Sequence, residues 1–233
     1  MMKKIFKVLI FLLLIGMSIA LLFIGNGYNM YKEAIDNIPL EEKVEEIREK
    51  ENYTEFSELP QMYVNAVISV EDKRFFKHSG IDIIAIGRAA INDIKAMAYV
   101  EGGSTITQQL AKNMYFTQEK KMERKIAEVF MAWNIESHYS KEDIFELYVN
   151  SIYFGDGYYT VKEACRGYFN KEIDEMTDYE CIMLAGIPNA PSVYAPTKNL
   201  SLAKQRQRQV MDKMIKNGYL TEDEANEILK QGE

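Results

Sequence analysis

The stretch Ser69-Val-Glu-Asp-Lys-Arg-Phe-Phe-Lys-His-Ser-Gly-Ile-Asp82 concentrates more chemistry than any other part of the chain. It holds two adjacent carboxylates, Glu71 and Asp72, a pair of aromatics, Phe75 and Phe76, the first of two histidines, His78, and a glycine able to end a helix, Gly80. Just upstream, Met62, Tyr63, Val64, Ala66, Val67 and Ile68 recur at helical spacing, with Pro60 suited to a first helical position. The spacing predicts a mostly apolar helix ending at Glu71 and Asp72, where the helix dipole disfavours negative charge. Such a placement raises a carboxylate's pKa toward the range that a general base or acid needs near neutral pH. The competing reading is a solvated Glu-Asp-Lys-Arg turn, the usual fate of a charge cluster.

A chain of 233 residues can bury one sizeable core with appendages. Its 28 basic and 35 acidic residues sum to −7, the opposite of the basic footprint of a nucleic-acid binder, so no nucleic-acid partner is expected. Cys165 and Cys181 lie far apart, and with only His78 and His138 as imidazoles a zinc site on His and Cys is disfavoured. Buried thiols are the expectation for the two cysteines, a disulfide the alternative.

From Val8 to Tyr31 there is no charged residue, and Val8 to Ile24 is long enough to cross a bilayer as a helix. Lys3, Lys4 and Lys7 before it predict a cytoplasmic N-terminus with everything after the helix outside. Ser18-Ile-Ala20 offers small residues at signal-peptidase spacing, but Leu21 to Ile24 carries the apolar run past that point, which favours an uncleaved anchor. The expected organisation is therefore a cytoplasmic tip and anchor over 1–30, an acidic juxtamembrane stalk over 31–57 and a folded domain over 58–233. Within that domain Ile81 to Val100 is unusually apolar. It reads either as a core helix or as an amphipathic helix lying in the membrane interface.

Glu101-Gly-Gly-Ser-Thr-Ile-Thr-Gln-Gln-Leu-Ala-Lys-Asn113 opens another helix, with Thr105 and Gln108 at capping-box spacing. The box does not account for Ser104, Thr107, Gln109, Lys112 and Asn113 on the same turns, a set suited to cradling an anionic or sugar ligand. A long helix follows from Lys120, with Arg124 and Glu128 four apart; this reads as a surface ion pair, except that strongly apolar residues follow Glu128 at once. Ser140–Asp143, Thr177–Glu180 and Thr221–Glu224 are further capping signatures, Asp156 to Phe169 is another helical pattern, and Gly218 suits a helix C-terminus. No segment alternates with period two, so an all-α fold is expected.

Taken together, Glu71-Asp-x-x-Phe75-x-x-His78-x-Gly80, Gly102-Gly-Ser-Thr-x-Thr-Gln-Gln-Leu-x-Lys112-Asn113, Arg124-Lys-x-x-Glu128, Glu146-x-Tyr-x-Asn150-x-x-Tyr-Phe-Gly155 and Ala185-Gly-Ile-Pro-x-Ala-Pro-Ser192 closely resemble the family 51 glycosyltransferases, the peptidoglycan glycosyltransferases. The resemblance covers about Glu58 to Met214. Phe145 and Val149 stand where the family usually has leucine, apolar exchanges that touch nothing catalytic. Because the chain stops at Glu233, the monofunctional form is expected, and Ser201-Leu-Ala-Lys204 is read as a chance match to the penicillin-binding Ser-x-x-Lys pattern.

The resemblance implies a lysozyme-like helical domain with a membrane-associated apolar subdomain, held in a bacterial cell membrane by a single pass. It implies polymerisation of lipid II by transfer of the pyrophosphate-linked nascent glycan strand to the sugar 4-hydroxyl of lipid II, inverting an α-linked pyrophosphate to a β-1,4 bond. Glu71 would be the general base and Glu128 the second glutamate, aiding the departing pyrophosphate or orienting nearby cations. Lys112, Arg124 and Lys125 would hold pyrophosphate, and Ser104, Thr105, Gln108, Gln109, Asn113 and Asn150 would join them in binding substrate. Asp72, Phe75 and His78 would shape the site around Glu71. The family leaves room for a divalent cation, magnesium or manganese, implies no organic cofactor, and admits other cell-wall synthesis proteins as partners. A membrane-anchored lysozyme-like hydrolase and a non-catalytic cell-wall scaffold are the alternatives. The cations between Lys112 and Lys125 speak against the first, since cutting a neutral glycosidic bond needs no pyrophosphate clamp. Keeping both glutamates speaks against the second.

Overall fold

Apolar residues at helical spacing, with capping signatures before about half of such runs, leave the chain little choice but helices. The computed structural model describes residues 2–97, 102–117, 119 and 121–232. Their α-helices are α1 (Met2–Asn37), α2 (Leu40–Arg48), α3 (Gln61–Glu71), α4 (Ile83–Ala96), α5 (Ile106–Tyr115), α6 (Met122–His138), α7 (Lys141–Val149), α8 (Val161–Phe169), α9 (Asp178–Gly186), α10 (Pro191–Tyr194), α11 (Pro196–Asn217) and α12 (Glu222–Lys230). The only strand-like pairings among them are single bridges, so the all-α expectation holds.

The expected caps form. Thr105, Ser140, Thr177 and Thr221 each accept the N3 amide and receive a reciprocal bond from an N3 side chain. Gly218 ends α11 at φ +79°. Three boundaries differ from expectation. Pro60 precedes α3 rather than opening it. The pattern from Asp156 becomes helix only at Val161, because Gly155, Asp156 and Gly157 all take positive φ and make a turn that Thr160 then caps. Gly80 does not end α3; at φ +69° it turns the chain so tightly against Trp133 that a Cβ would lie 2.5 Å from the indole Cδ1.

The core is built where α3 packs on α9 and α11, and α5 on α6 and α7, around Tyr63, Val67, Phe75, Leu110, Met131, Phe145, Leu184 and Val210. The segment expected to be a stalk is helical and partly built into this core. α1 runs on to Asn37, and α2 buries Leu40, Val44 and Ile47 while its glutamates face solvent. The boundary drawn at residue 58 therefore has core-forming residues on both sides.

α1 is long and apolar enough to cross a membrane. Its lower half packs on α6. Tyr28 and Tyr31 bring their rings 5.3 Å and 6.0 Å from Phe130, and Gly27 comes so close that a Cβ there would sit 2.5 Å from Ile126 Cγ2 and 2.9 Å from the Glu123 carbonyl. The helix that carries Arg124, Lys125 and Glu128 is thus buttressed by the anchor itself. α4 is not the core helix that its composition allowed. Ala89 is its one buried residue, whereas Ile94 and Met97 are 76% and 93% exposed and Ile83, Ile84 and Ile91 are bare as well. Its expected continuation through Ala98 to Val100, and Glu101, Gln118 and Lys120, lie outside the described residues.

Candidate active site

The end of α3 places Glu71 in the wall of a cleft of ≈ 660 Å³. Gln109, one turn into α5, donates from Nε2 to Glu71 Oε2 at 2.8 Å. Tyr148 in turn lies 3.4 Å from Gln109 Oε1. The carboxylate is therefore held at one oxygen by a side chain itself fixed from behind, within the cleft wall. Ser104, Gln109 and Lys112 share this cleft with Glu71, as the sequence led us to expect.

The opposite wall was not anticipated. Pro188, Asn189 and Tyr194 from the turn before α11, and Arg206, Gln209, Lys213 and Lys216 from α11 itself, complete the cleft. Arg206 lies over the Tyr194 ring at 5.7 Å and reaches Gln209 at 3.1 Å. The signal was present as spacing. Positions 206, 209, 213 and 216 share one helical face, and all are long polar residues.

Glu128 does not face the cleft. It is 1% exposed, and each of its oxygens is taken by a cation. Arg124 Nη1 pairs with Oε1 and Lys125 Nζ lies 2.6 Å from Oε2. Lys125 also donates to Ser104 Oγ at 2.7 Å, which ties α6 to the cleft wall. Arg124 additionally donates to the Glu119 carbonyl. The pair read as a surface bridge is thus a buried carboxylate gripping two cations. Among the described residues no three His, Cys, Asp or Glu side chains come together as a metal cage. Both Glu128 oxygens are committed to Arg124 and Lys125.

Several residues expected at the substrate are bonded within the protein, Asp72 while also lining the cleft. Asp72 is buried; its Oδ2 accepts from the Ile106 amide at 3.2 Å and lies 2.8 Å from His78 Nε2, so the pair pins the start of α5 against Glu71. Phe75 is wholly buried, with Lys141 Nζ 4.5 Å from its ring centre. Thr105 donates to the Gly80 carbonyl at 2.6 Å, and Gln108 closes its cap. Asn113 is exposed but does not wall the cleft. Asn150 is buried and fully bonded, receiving the Thr54 amide at 3.0 Å and donating to the Thr54 and Glu146 carbonyls at 2.8 Å and 2.9 Å. Asn150→Ala strands those groups and costs about 2 kcal/mol, a fall in Tm of about 4–8 °C by thermal denaturation, with the KM of the folded remainder unchanged.

The cations repel one another. Burial, then Arg124, then Lys112 push the Lys125 ammonium down to about 8, against the pull of Glu128. Burial and Arg124 also lower Lys112, while Glu71 pulls it back up. Lys125 is therefore charged below about pH 8 and loses its proton as pH rises through about 8. If this cluster holds an anion, kcat/KM falls on the alkaline side with an apparent pKa near 8. Lys125→Arg, which cannot deprotonate, moves that limb upward in a pH–rate profile.

Residues 40–215 match the family described as Transglycosylase. Penicillin-binding protein 1F of Bacillus subtilis is 46% identical over 72% of this chain and 24% of its own length. Penicillin-binding proteins 1A of Aquifex aeolicus and Neisseria gonorrhoeae are 42% and 40% identical over 78% of the chain and 25% and 23% of theirs. The crystal structure of penicillin-binding protein 1A from Haemophilus influenzae is 26% identical and covers 54% of this chain and 16% of that one, with a TM-score of 0.38. The chain spans about a quarter of the length of the curated relatives it matches. The match begins at Leu40, where α2 enters the core, and takes in every residue placed in or behind the cleft except Lys216 and Asn217. On that match, and on the identity to these relatives, the chain belongs to the transglycosylase family.

Proposed function

We propose that the chain polymerises lipid II, joining the lipid-pyrophosphate-linked growing glycan to the sugar 4-hydroxyl of the next unit. The observation that carries this is one oriented carboxylate, Glu71, sharing the cleft with Lys112, while Arg124 and Lys125, gripped by buried Glu128, stand behind the cleft wall at Ser104. Glu71 takes the proton from the acceptor 4-hydroxyl as that oxygen attacks the donor's anomeric carbon. The bond from that carbon to the pyrophosphate breaks as the new one forms. The electron pair leaves with the pyrophosphate, where the cations offset the charge that develops. Attack and departure on opposite faces turn an α-linkage into a β-1,4 bond in one displacement, with no covalent sugar intermediate.

A lipid-linked substrate needs an enzyme at the bilayer. The anchor helix and the bare isoleucines of α4 both suit an apolar phase. Lys3, Lys4 and Lys7, ahead of the apolar run of α1, favour a cytoplasmic N-terminus with the cleft on the outer side. Incubating the detergent-solubilised chain with fluorescent lipid II tests the reading. The expected product is a ladder of strands that a muramidase digests. Cleavage of preformed strands without synthesis contradicts it.

A further inference from the structure

A second pocket of ≈ 190 Å³ lies beside the cleft, walled by Lys73, Arg74, Phe76, Lys77, Asn217 and Tyr219 among others. Lys73 and Asn217 also wall the cleft, so the two spaces share a border. Asn217 Nδ2 donates to the Ser69 carbonyl at 3.3 Å and fixes the end of α11 against α3 at that border. In a chain of net charge −7, three cations within five residues stand together here. Asp82 holds Arg74 at 3.0 Å, whereas Lys73 and Lys77 are exposed and have no carboxylate partner among the described residues. Phe76 is 50% exposed although its neighbour Phe75, 5.1 Å away, is in the core, and Tyr219 faces the same pocket at 39%.

Two ammonium groups flanking two bare aromatic rings in a concavity suit a ligand that is anionic at one end and apolar along its length. We propose that this pocket receives the carboxylate-bearing peptide of the acceptor unit while its sugar lies at Glu71. The inference rests on the lipid II reading. In that substrate each disaccharide carries a peptide with a terminal carboxylate, and the pocket borders the α11 side of the cleft, away from Arg124 and Lys125. A bilayer surface, the other anionic neighbour at hand, does not need a concavity that opens toward the cleft.

The test compares KM for two substrates with the full-length chain in neutral detergent: lipid II, and the same lipid-linked disaccharide with its lactyl group amidated and no peptide attached. Lys77→Glu raises KM for lipid II about 10-fold, with kcat within about twofold, and leaves KM for the peptide-free substrate unchanged. Tyr219→Ala acts in the same direction more weakly, and Lys77→Arg behaves as the parent. Equal changes on both substrates, or none on either, overturn the proposal, as does a defect that appears only in vesicles containing anionic lipid. No polymer from the parent on either substrate removes the polymerase reading and this proposal together. A normal parent rate with peptide-blind KM values removes this proposal alone.

Discussion

Replacing Glu71 by glutamine lowers kcat for glycan polymerisation by about 10³-fold, about 4 kcal/mol of barrier, while KM stays within about threefold. The amide keeps the shape and still accepts the Gln109 Nε2–H bond that orients it. What it loses is the capacity to take a proton from the attacking hydroxyl. Hydroxyls are poor nucleophiles near neutral pH, so the loss falls on the chemical step rather than on binding. Steady-state rates on fluorescent lipid II give both constants. A drop in affinity with unchanged kcat makes Glu71 a substrate ligand and takes the base away from the mechanism.

Glu128→Gln strikes stability and turnover together. It leaves the Arg124 guanidinium and the Lys125 ammonium side by side with no counter-charge, in a site where the carboxylate was 1% exposed. Removing one partner from a buried ion pair costs about 3–5 kcal/mol. Arg124 is only 14% exposed but Lys125 is 41% exposed, so the loss lies near about 3 kcal/mol, or about 6–12 °C in Tm. In the protein that remains folded, kcat/KM falls by about 10²-fold, because on the proposed mechanism the cations that offset developing charge are displaced. A merely structural role leaves the pH profile alone. Here the alkaline limb set by Lys125 moves to lower pH, since the group that favoured its charged form is gone.

Local order was open to reading before the structure because it is written in short-range chemistry. Capping pairs three residues apart, apolar spacing and glycine stops gave helices that end close to where the structure ends them. The placement of Glu71 also showed, because the end of an apolar helix beside a loop is exposed to whatever packs opposite. Burial of charged and polar groups was the part hidden. Arg124, Lys125 and Glu128 have the same spacing on an exposed helix face as on a covered one, and only α5 and the anchor lying against α6 decide between them. Asn150 was placed at the substrate, yet its partner is the backbone at Thr54, 96 positions upstream, a distance no local pattern reports.

The acidic composition of 31–57 masked a short amphipathic helix. Glu41, Glu42, Glu45 and Glu46 outnumber Leu40, Val44 and Ile47, but the three apolar residues share one face and that face is buried. The α11 wall was legible in principle from the stripe of Arg206, Gln209, Lys213 and Lys216. It was missed because a polar stripe on a terminal helix usually faces solvent.

The most direct test of the account is to count lipid pyrophosphate released against glycosidic bonds formed, in the parent and in Glu71→Gln, with the anomeric configuration of the product read by NMR. One pyrophosphate lipid per new β-1,4 bond in the parent, and loss of both together in the variant, is the predicted result. Bonds broken without lipid release, or β-linked strands made by Glu71→Gln at the parent's rate, contradict it.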